Sequence, residues 1–257
     1  MTSRSGPISC AQMSKFQDGS PFNAQAVAFN FERMLNPDNH CRCLFYISFI
    51  GKVEAVDELT VVFHLKTPSP NLPAIGAPPT STNVIHSPKA IQEMKEAYNR
   101  HPVGTGPFQL KSWQSGDRLV LERNPQYWDK NRPYLDQVTI RPMPDNIARY
   151  ASVQSGESDV IWTDRAEDVL KAKKNPALNV REYAGSGAQV YAFNTKVAPF
   201  DDVRVRQALR MALDLEAYSQ AAWGDLWKPT RDPYGPGSFV QCSDPGALPF
   251  DPRRRRN

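Results

Sequence analysis

Three of the side chains that could carry metal or redox chemistry lie close together at one point of the chain. The sequence contains four cysteines and four histidines, and three of these fall in the run His40-Cys41-Arg42-Cys43. A tetrahedral metal site commonly takes its ligands from spaced pairs such as Cys-x2-Cys, whereas here the spacing is Cys-x-Cys and no second pair follows. The four cysteines also match no disulfide framework of a small secreted domain. We therefore predict no metal site, and loop cysteines without a special role.

Sequence motifs of common catalytic sites are absent. The chain has no Gly-x-Ser-x-Gly nucleophile elbow, no His-Glu-x-x-His motif and no Gly-x-x-x-x-Gly-Lys phosphate loop. The Gly-Thr-Gly run at 104–106 lacks the third glycine of a dinucleotide-binding turn and continues into a proline. Acidic neighbours such as Asp201-Asp202 fall at predicted turns and helix caps. We predict no catalytic residues, no cofactor and a protein that is not an enzyme.

Composition and charge are those of an ordinary globular chain. Of its 257 residues, 40% are hydrophobic and 23% are charged, and the net charge is +4. Four basic residues form the run Arg253–Arg256, and without that run the chain has 27 basic and 27 acidic residues. A neutral body argues against a nucleic-acid partner, and we predict that the basic run is a disordered tail. No apolar run approaches the ~20 residues of a membrane span, and the N-terminus lacks the apolar core of a signal peptide.

Residue patterns predict alternating strands and helices. Asn23 is placed to cap a helix that ends at Asn36-Pro37, because the residue before a proline disfavours the helical conformation. Ser87-Pro88 predicts a second helix start, and this helix is expected to end near residue 100. The remaining predicted elements are a hairpin over 51–66, strands at 108–113, 117–123, 135–141, 159–162, 178–183 and 189–194, a helix capped by Asp145 that runs to Ser155, a helix capped by Asp164, and one long helix from Asp201 or Asp202 to Gly224. The alternation indicates an α/β lobe with a mixed sheet.

Five segments, taken in order along the chain, carry a family resemblance. They read DGSPFNAQAVAFNFERML (18–35), KVEAVDELTVVFHLKTPSP (52–70), HPVGTGPFQLKSW (101–113), LERNPQYWDKNRPYLDQVTIRPMPDNIARYASVQSGESDV (121–160) and APFDDVRVRQALRMALD (198–214). Each segment alone is weak, but five in register are specific. The sequence resembles the extracytoplasmic solute-binding proteins of ABC importers, family 5, which include the oligopeptide-, dipeptide- and nickel-binding proteins.

The resemblance implies a fold and a layout. The fold class is α/β, a periplasmic-binding-protein-like fold of type II in the peptide-binding cluster, present here in part. Residues 1–103 correspond to an accessory domain with an incomplete N-terminus, 104–200 to the central part of the main ligand-binding lobe, and 201–257 to the start of a second lobe and a disordered basic tail. Because members of the family are substantially longer, we interpret the chain as truncated at both ends, with most of the second lobe missing.

The resemblance also implies a function. Members of the family capture a peptide or a similar small solute between two lobes that close by a hinge, and they deliver it to the permease subunits of an ABC importer. We therefore expect a monomer that is periplasmic, or extracellular and membrane-associated, although no signal peptide is visible in this chain. Two alternatives remain open: a truncated remnant that does not transport, and the ligand-sensing domain of a regulator that uses the same fold.

Candidate ligand-binding residues follow from the resemblance in two segments. In the main lobe, Tyr191 would offer a ring and Asn194 an amide to an extended peptide, and Gln189 is a third candidate. In the accessory domain, Phe45 and Tyr46 would reach the rim of the cleft. For each of the five, a structural aromatic or a solvated amide is the alternative explanation. The resemblance does not distinguish a dipeptide, an oligopeptide, a nickel complex or a sugar as the solute.

Overall fold

The computed structural model describes residues 5–9, 14–70, 72, 82, 84–183, 192–224 and 226, with the backbone alone at 5–9. The chain divides into two units, Met1–Pro142 and Met143–Asn257. Within the described ranges, unit 1 contains all the strands and all the fully buried apolar side chains, whereas unit 2 contains only helices and irregular segments. No helix in those ranges is long and apolar enough to cross a membrane.

The first sheet of unit 1 is built on the hairpin predicted over 51–66. Its strands are antiparallel in the order β1-β3-β2 and comprise β1 (Ser5–Ser9), β2 (Ile50–Ala55) and β3 (Thr60–Leu65). Asp57 closes the hairpin turn, because its Oδ1 accepts hydrogen bonds from Leu59 N at 2.8 Å and Thr60 N at 2.7 Å. The alternation of the strand sends Val61 and Phe63 to the buried face. The predicted hairpin is therefore confirmed.

Helix α1 (Ala24–Leu35) packs against this sheet. Asn23 caps the helix as predicted, because its side-chain oxygen accepts a hydrogen bond from Ala26 N at 3.0 Å. Phe31 meets Phe63 edge-on in the core, with ring centroids 5.0 Å apart. The buried cluster between helix and sheet consists of Ala24, Phe31, Cys43, Ile47, Ile50, Val53, Val61 and Phe63. Packing of this apolar face, more than intrinsic helix propensity, keeps α1 formed.

Two short connections and a second capped helix complete the first half of unit 1. A 3-10 helix (Pro37–Asn39) and helix α2 (Leu44–Ile47) join α1 to β2. Helix α3 (Pro88–Met94) starts where the sequence predicts, because Ser87 Oγ accepts a hydrogen bond from Ala90 N at 3.1 Å. A 3-10 helix (Lys95–Arg100) follows directly, so the predicted helix is α-helical only in its first half.

Gln17 joins the beginning of the chain to the segment that enters the second sheet. Gln17 N donates to Gly104 O at 2.9 Å, and Gly104 N donates back to Gln17 Oε1 at 3.1 Å. Gln17 Nε2 donates to Phe108 O at 2.9 Å. The boundary predicted between residues 103 and 104 therefore lies inside unit 1, and the division into an accessory domain and a main lobe stays a prediction.

The second sheet of unit 1 contains the three predicted strands. They are antiparallel in the order β4-β5-β6 and comprise β4 (Phe108–Gln114), β5 (Arg118–Arg123) and β6 (Gln137–Ile140). Leu110 pairs with Leu121 whereas Ser112 pairs with Val120, so Lys111 is the extra residue of a β-bulge in β4. Both described sheets are antiparallel throughout, whereas the strand–helix alternation predicts a mixed sheet.

Unit 2, taken by itself, has four helices within the described residues. They are α4 (Asn146–Ser155), α5 (Ala166–Lys173), α6 (Val203–Ala212) and α7 (Leu215–Trp223). Asp145 caps α4 by accepting a hydrogen bond from Ala148 N at 2.7 Å, and Gly156 ends it with a φ of +78°, both as predicted. None of the apolar side chains described in this unit is fully buried, and Val160 and Trp162 are strongly exposed.

Several sequence predictions for unit 2 are wrong. Segments 159–162 and 178–183 are not strands, because a strand forms only where a neighbouring strand exchanges backbone hydrogen bonds with it. Helix α5 begins after Arg165 without a side-chain cap, and not at Asp164. The predicted long helix is divided into α6 and α7, because Asp214 accepts hydrogen bonds from Glu216 N and Ala217 N and starts a new helix. Of the strand predicted over 189–194, residues 192–194 form none, and 189–191 lie outside the described residues.

Candidate functional site

Phe45 and Tyr46 form an exposed aromatic pair on unit 1. Both lie on the four-residue helix α2, their exposed fractions are 84% and 64%, and their rings meet edge-on with centroids 5.4 Å apart. Ile47, the next residue, is fully buried in the core. Because so short a helix is unstable alone, its buried neighbours must hold the two rings outward. The pair offers apolar ring surface and one phenol hydroxyl to a ligand.

A disulfide bond between Cys41 and Cys43 precedes this aromatic pair. Cys43 is 5% exposed and belongs to the core, and Cys41 packs against that core. Leu44 N donates to Cys41 O at 3.1 Å, so the bridge lies directly at the first turn of α2. This disulfide bond shows that the prediction of cysteines without a special role is wrong. The bond was missed because a spacing of one residue matches none of the disulfide patterns that are used to recognise pairing. No group of three or more potential metal ligands comes together among the described side chains.

Asn194, on unit 2, uses its side-chain oxygen within its own turn. Asn194 Oδ1 accepts a hydrogen bond from Lys196 N at 3.1 Å, and Asn194 O accepts one from Val197 N at 3.2 Å. The residue is exposed, and its amide nitrogen is the group it would present to a ligand. Gln189 and Tyr191, the other two candidates of this segment, lie outside the described residues. Their role stays a prediction.

A stacked aromatic pair beside Asn194 was not predicted from the sequence. The rings of Phe193 and Phe200 lie with centroids 4.8 Å apart and an interplanar angle of 23°. Arg206 Nη1 donates to Phe200 O at 2.6 Å and fixes the approach to α6. Phe193 remains 38% exposed, so part of its ring is accessible beside the candidate amide. The two phenylalanines are seven positions apart in an irregular segment, and no helix or strand period links them.

Three titratable groups with shifted pKa values, His86, Tyr98 and Asp18, lie in connections of unit 1 and not at the aromatic pair. Burial, followed by the charge of Arg33, lowers the pKa of His86 below its ordinary value. Burial raises the pKa of Tyr98, whose hydroxyl hydrogen-bonds His86 Nδ1 at 2.8 Å and donates to Val103 O at 3.1 Å. The pKa of Asp18 is lowered: burial on its own would raise it, but hydrogen bonds from Ser20 and Ser87 outweigh the effect of burial. Each group is engaged in joining backbone segments, which is a structural task.

The sequence matches the profile of the bacterial extracellular solute-binding proteins, family 5 (Middle), over residues 13–256. Among curated relatives, the glutathione-binding protein GsiB of Salmonella typhi is 34% identical over 250 residues, which are 97% of this chain and 48% of the relative. This chain therefore spans about half the length of the curated relatives that it matches.

Solved structures of solute-binding proteins share the fold of this chain. The dipeptide-binding protein from Pseudoalteromonas sp. SM9913, in complex with Met-Leu, is 25% identical, with a TM-score of 0.83 over 99% of this chain and 54% of that chain. The ABC transporter-associated periplasmic binding protein DppA from Helicobacter pylori, in complex with the peptide STSA, is 21% identical, with a TM-score of 0.82 over 99% and 53%. The predicted class, a partial periplasmic-binding-protein-like α/β fold, is confirmed. The chain belongs to the bacterial extracellular solute-binding proteins of family 5.

Proposed function

We propose that this chain is the solute-capturing component of an ABC importer, that it binds without catalysing a reaction, and that its solute is a peptide of two or three residues. The observation that carries the proposal is the family match over residues 13–256, together with relatives named for glutathione and for a dipeptide. Those two ligands share an amino group, a carboxylate and a peptide bond. One set of hydrogen-bonding groups can therefore serve both.

Phe45 and Tyr46 supply apolar contact area to the peptide in this proposal. Their exposed fractions of 84% and 64% leave most of each ring surface to be covered by a ligand. Fully burying a large apolar side chain stabilises by about 1.5–3 kcal/mol. Since a small peptide covers only part of each ring, we expect each to contribute about 1 kcal/mol to binding.

The polar contacts come from the segment that ends at Asn194. Because Asn194 Oδ1 already accepts from Lys196 N, its amide nitrogen would donate to a carbonyl or carboxylate of the peptide. Gln189 and Tyr191 would contribute an amide and a phenol from the same segment. A peptide has more hydrogen-bonding groups than apolar ones, so this segment is expected to decide ligand choice more than the aromatic pair does.

The proposed domain layout follows the family resemblance. Residues 1–103 form the accessory domain, 104–200 the central part of the main lobe and 201–257 the beginning of a second lobe. Ligand contacts bias a hinge between lobes toward a closed state, and that state is presented to the permease subunits. In this proposal the protein acts as a monomer in the periplasm or outside the cell, as the DppA neighbour is named a periplasmic protein associated with an ABC transporter.

Isothermal titration calorimetry of the purified chain with reduced glutathione, with Met-Leu and with free leucine tests the solute class. We expect the two peptides to bind more tightly than the free amino acid. A thermal shift should accompany binding, because a ligand at 100 times its Kd stabilises by about 2.7 kcal/mol. Absence of saturable binding for both peptides would contradict the proposal.

Aromatic variants test the contribution of the pair. Tyr46→Ala should weaken peptide binding about fivefold, which corresponds to ~1 kcal/mol. Tyr134→Ala is the matched control, because Tyr134 is 80% exposed on the same unit and is no candidate ligand contact. Equal peptide affinities for the two variants would show that Tyr46 does not contact the ligand. The proposed function itself is tested by the calorimetry of the unaltered chain.

The genes on either side of this reading frame test the partner. Permease and ATPase genes next to it would support an importer. An upstream segment that encodes a helix-turn-helix domain in the same frame would instead support the ligand-sensing domain of a regulator, and would contradict the transport role. If the reading frame has neither importer genes beside it nor an upstream helix-turn-helix segment, and the chain binds no peptide, the result would support a remnant that does not transport.

A further inference from the structure

A basic groove lies on unit 1, apart from the aromatic pair. It is a cavity of about 400 Å³ between the 3-10 helix Lys95–Arg100 and strand β4. The residues that line it are Arg100, His101, Leu110, Lys111, Ser112, Trp113 and Ser115. The volume is within the range of small-molecule sites, ~300–1,000 Å³, so the groove can take a ligand and not only a single water molecule.

The charge of the groove is positive and not neutralised from within. Arg100 and Lys111 line it, and no aspartate or glutamate does. Within the described residues, neither of these two side chains lies at ion-pair distance from a carboxylate, whereas nearby arginines do: the pairs are Arg118–Asp117, Arg123–Asp136 and Arg132–Asp129. The arrangement leaves two cations facing one cavity, which favours an anionic ligand.

Two features of the backbone and the packing position these cations. The guanidinium carbon of Arg100 lies 4.7 Å from the centroid of the Trp113 ring, a cation–π distance that orients the arginine without using a carboxylate. Lys111 is the extra residue of the β4 bulge, and a bulge redirects a side chain out of the regular alternation of a strand. Its Nζ has only a long contact to Gln137 Oε1, at 3.5 Å, and can exchange it for a stronger acceptor.

We propose that this groove binds a phosphate group. A phosphate monoester carries a charge of about −1.5 to −2 at neutral pH, and its three terminal oxygens accept hydrogen bonds. That charge balances Arg100 and Lys111 together, and the hydroxyls of Ser112 and Ser115 can donate to the remaining oxygens. A single carboxylate would neutralise only one of the two cations. Trp113 and Leu110 provide an apolar wall for the body that carries the phosphate.

The phosphate has two possible sources that share this chemistry. It can belong to a free phosphorylated small molecule or to the headgroup of an anionic lipid. Because the lining side chains other than Leu110 are solvent-exposed, binding should be weak, with a Kd on the order of 1 mM, and should weaken as salt screens the charges.

Titration calorimetry of the full chain with inorganic phosphate, glycerol 3-phosphate and acetate at low salt tests the groove. We expect both phosphates to bind about tenfold more tightly than acetate. Vesicles of phosphatidylcholine, with and without phosphatidic acid, are assayed in parallel by sedimentation. Binding to glycerol 3-phosphate assigns a small-molecule source, and binding only to the phosphatidic acid vesicles assigns a lipid source. No binding in either assay overturns the proposal.

Charge-removing variants decide whether the binding is local. Arg100→Gln and Lys111→Gln should each weaken phosphate binding about tenfold, and Lys111→Arg should restore most of it. Lys130→Gln is the matched control, because Lys130 is an exposed lysine that does not line the groove. Equal losses in Lys111→Gln and Lys130→Gln would show an effect of net charge alone and overturn the proposal. Far-UV circular dichroism confirms that each variant is folded.

Discussion

Replacement of Asn30 by leucine tests how unit 1 is held together. Asn30 is 3% exposed in helix α1 and is bound to the segment that precedes α3. Its Nδ2 donates to Ala26 O and to His86 O, both at 2.8 Å, and its Oδ1 accepts from His86 N at 3.0 Å. One carboxamide therefore satisfies both backbone groups of His86, in the way that a neighbouring strand would. Leucine has the same number of side-chain heavy atoms, branched at the same carbon, but makes none of these bonds.

The expected cost follows from the two backbone groups of His86 that lose their partner. A buried polar group without a hydrogen bond costs about 1–3 kcal/mol, whereas Ala26 O is a helix carbonyl and is less affected. The leucine regains part of this through apolar burial, of order 1 kcal/mol. We therefore expect Asn30→Leu to lower the free energy of unfolding by about 3 kcal/mol. For a chain of this size that is a Tm lower by about 6–12 °C.

Asn39→Leu is the matched control, because the exposed side chain of Asn39 donates one hydrogen bond, from Nδ2 to Arg33 O at 3.0 Å. Surface substitutions of this kind usually change stability by no more than ~0.5 kcal/mol. Urea denaturation followed by circular dichroism gives the free energies, and hydrogen exchange of the 84–100 peptides localises the effect to unit 1. If Asn30→Leu costs no more than Asn39→Leu, the carboxamide does not hold these segments together.

Three further predictions concern unit 1. Burial and then the charge of Arg33 lower the pKa of His86, so the unfolded chain takes up a proton before the folded chain does as the pH falls. Stability should therefore decrease below pH 6.5. The variant His86→Gln should flatten that part of the curve of urea midpoint against pH. Dithiothreitol opens the three-residue Cys41–Cys43 loop and should lower stability by about 1.6 kcal/mol by loop entropy; a Cys41→Ser/Cys43→Ser protein should not respond to it. Gln17→Ala should lower the unfolding free energy by about 2 kcal/mol, since its side chain makes hydrogen bonds at 2.9 and 3.1 Å; an unchanged urea midpoint would refute this.

The elements that were predictable are those whose causes lie within a few residues. Asn23, Ser87 and Asp145 each cap a helix that the sequence places correctly, because a cap acts on backbone N–H groups two or three positions away. Asp57 closes its hairpin for the same reason. The family was also determined by the sequence, since five short segments in register are specific together although each is weak alone.

The failed predictions concern segments whose structure depends on distant partners. The segment at 159–162 has the apolar pattern of a strand, but a pattern supplies no neighbouring strand to pair with. The spacing of apolar residues also did not reveal the helix break at Asp214. The break depends on the Asp214 carboxylate, which accepts hydrogen bonds from the backbone N–H groups of Glu216 and Ala217.

Sequence alone determined the family, the local elements of unit 1 and the choice of Phe45 and Tyr46 as candidates. Only the tertiary structure decided that their rings are exposed beside a disulfide and that Arg100 faces the same groove as Lys111. The physical reason is the separation along the chain between the residues that interact. Caps and turns are satisfied by near neighbours, whereas a contact such as Asn30 to His86 joins residues 56 positions apart, and nothing local in the sequence records it.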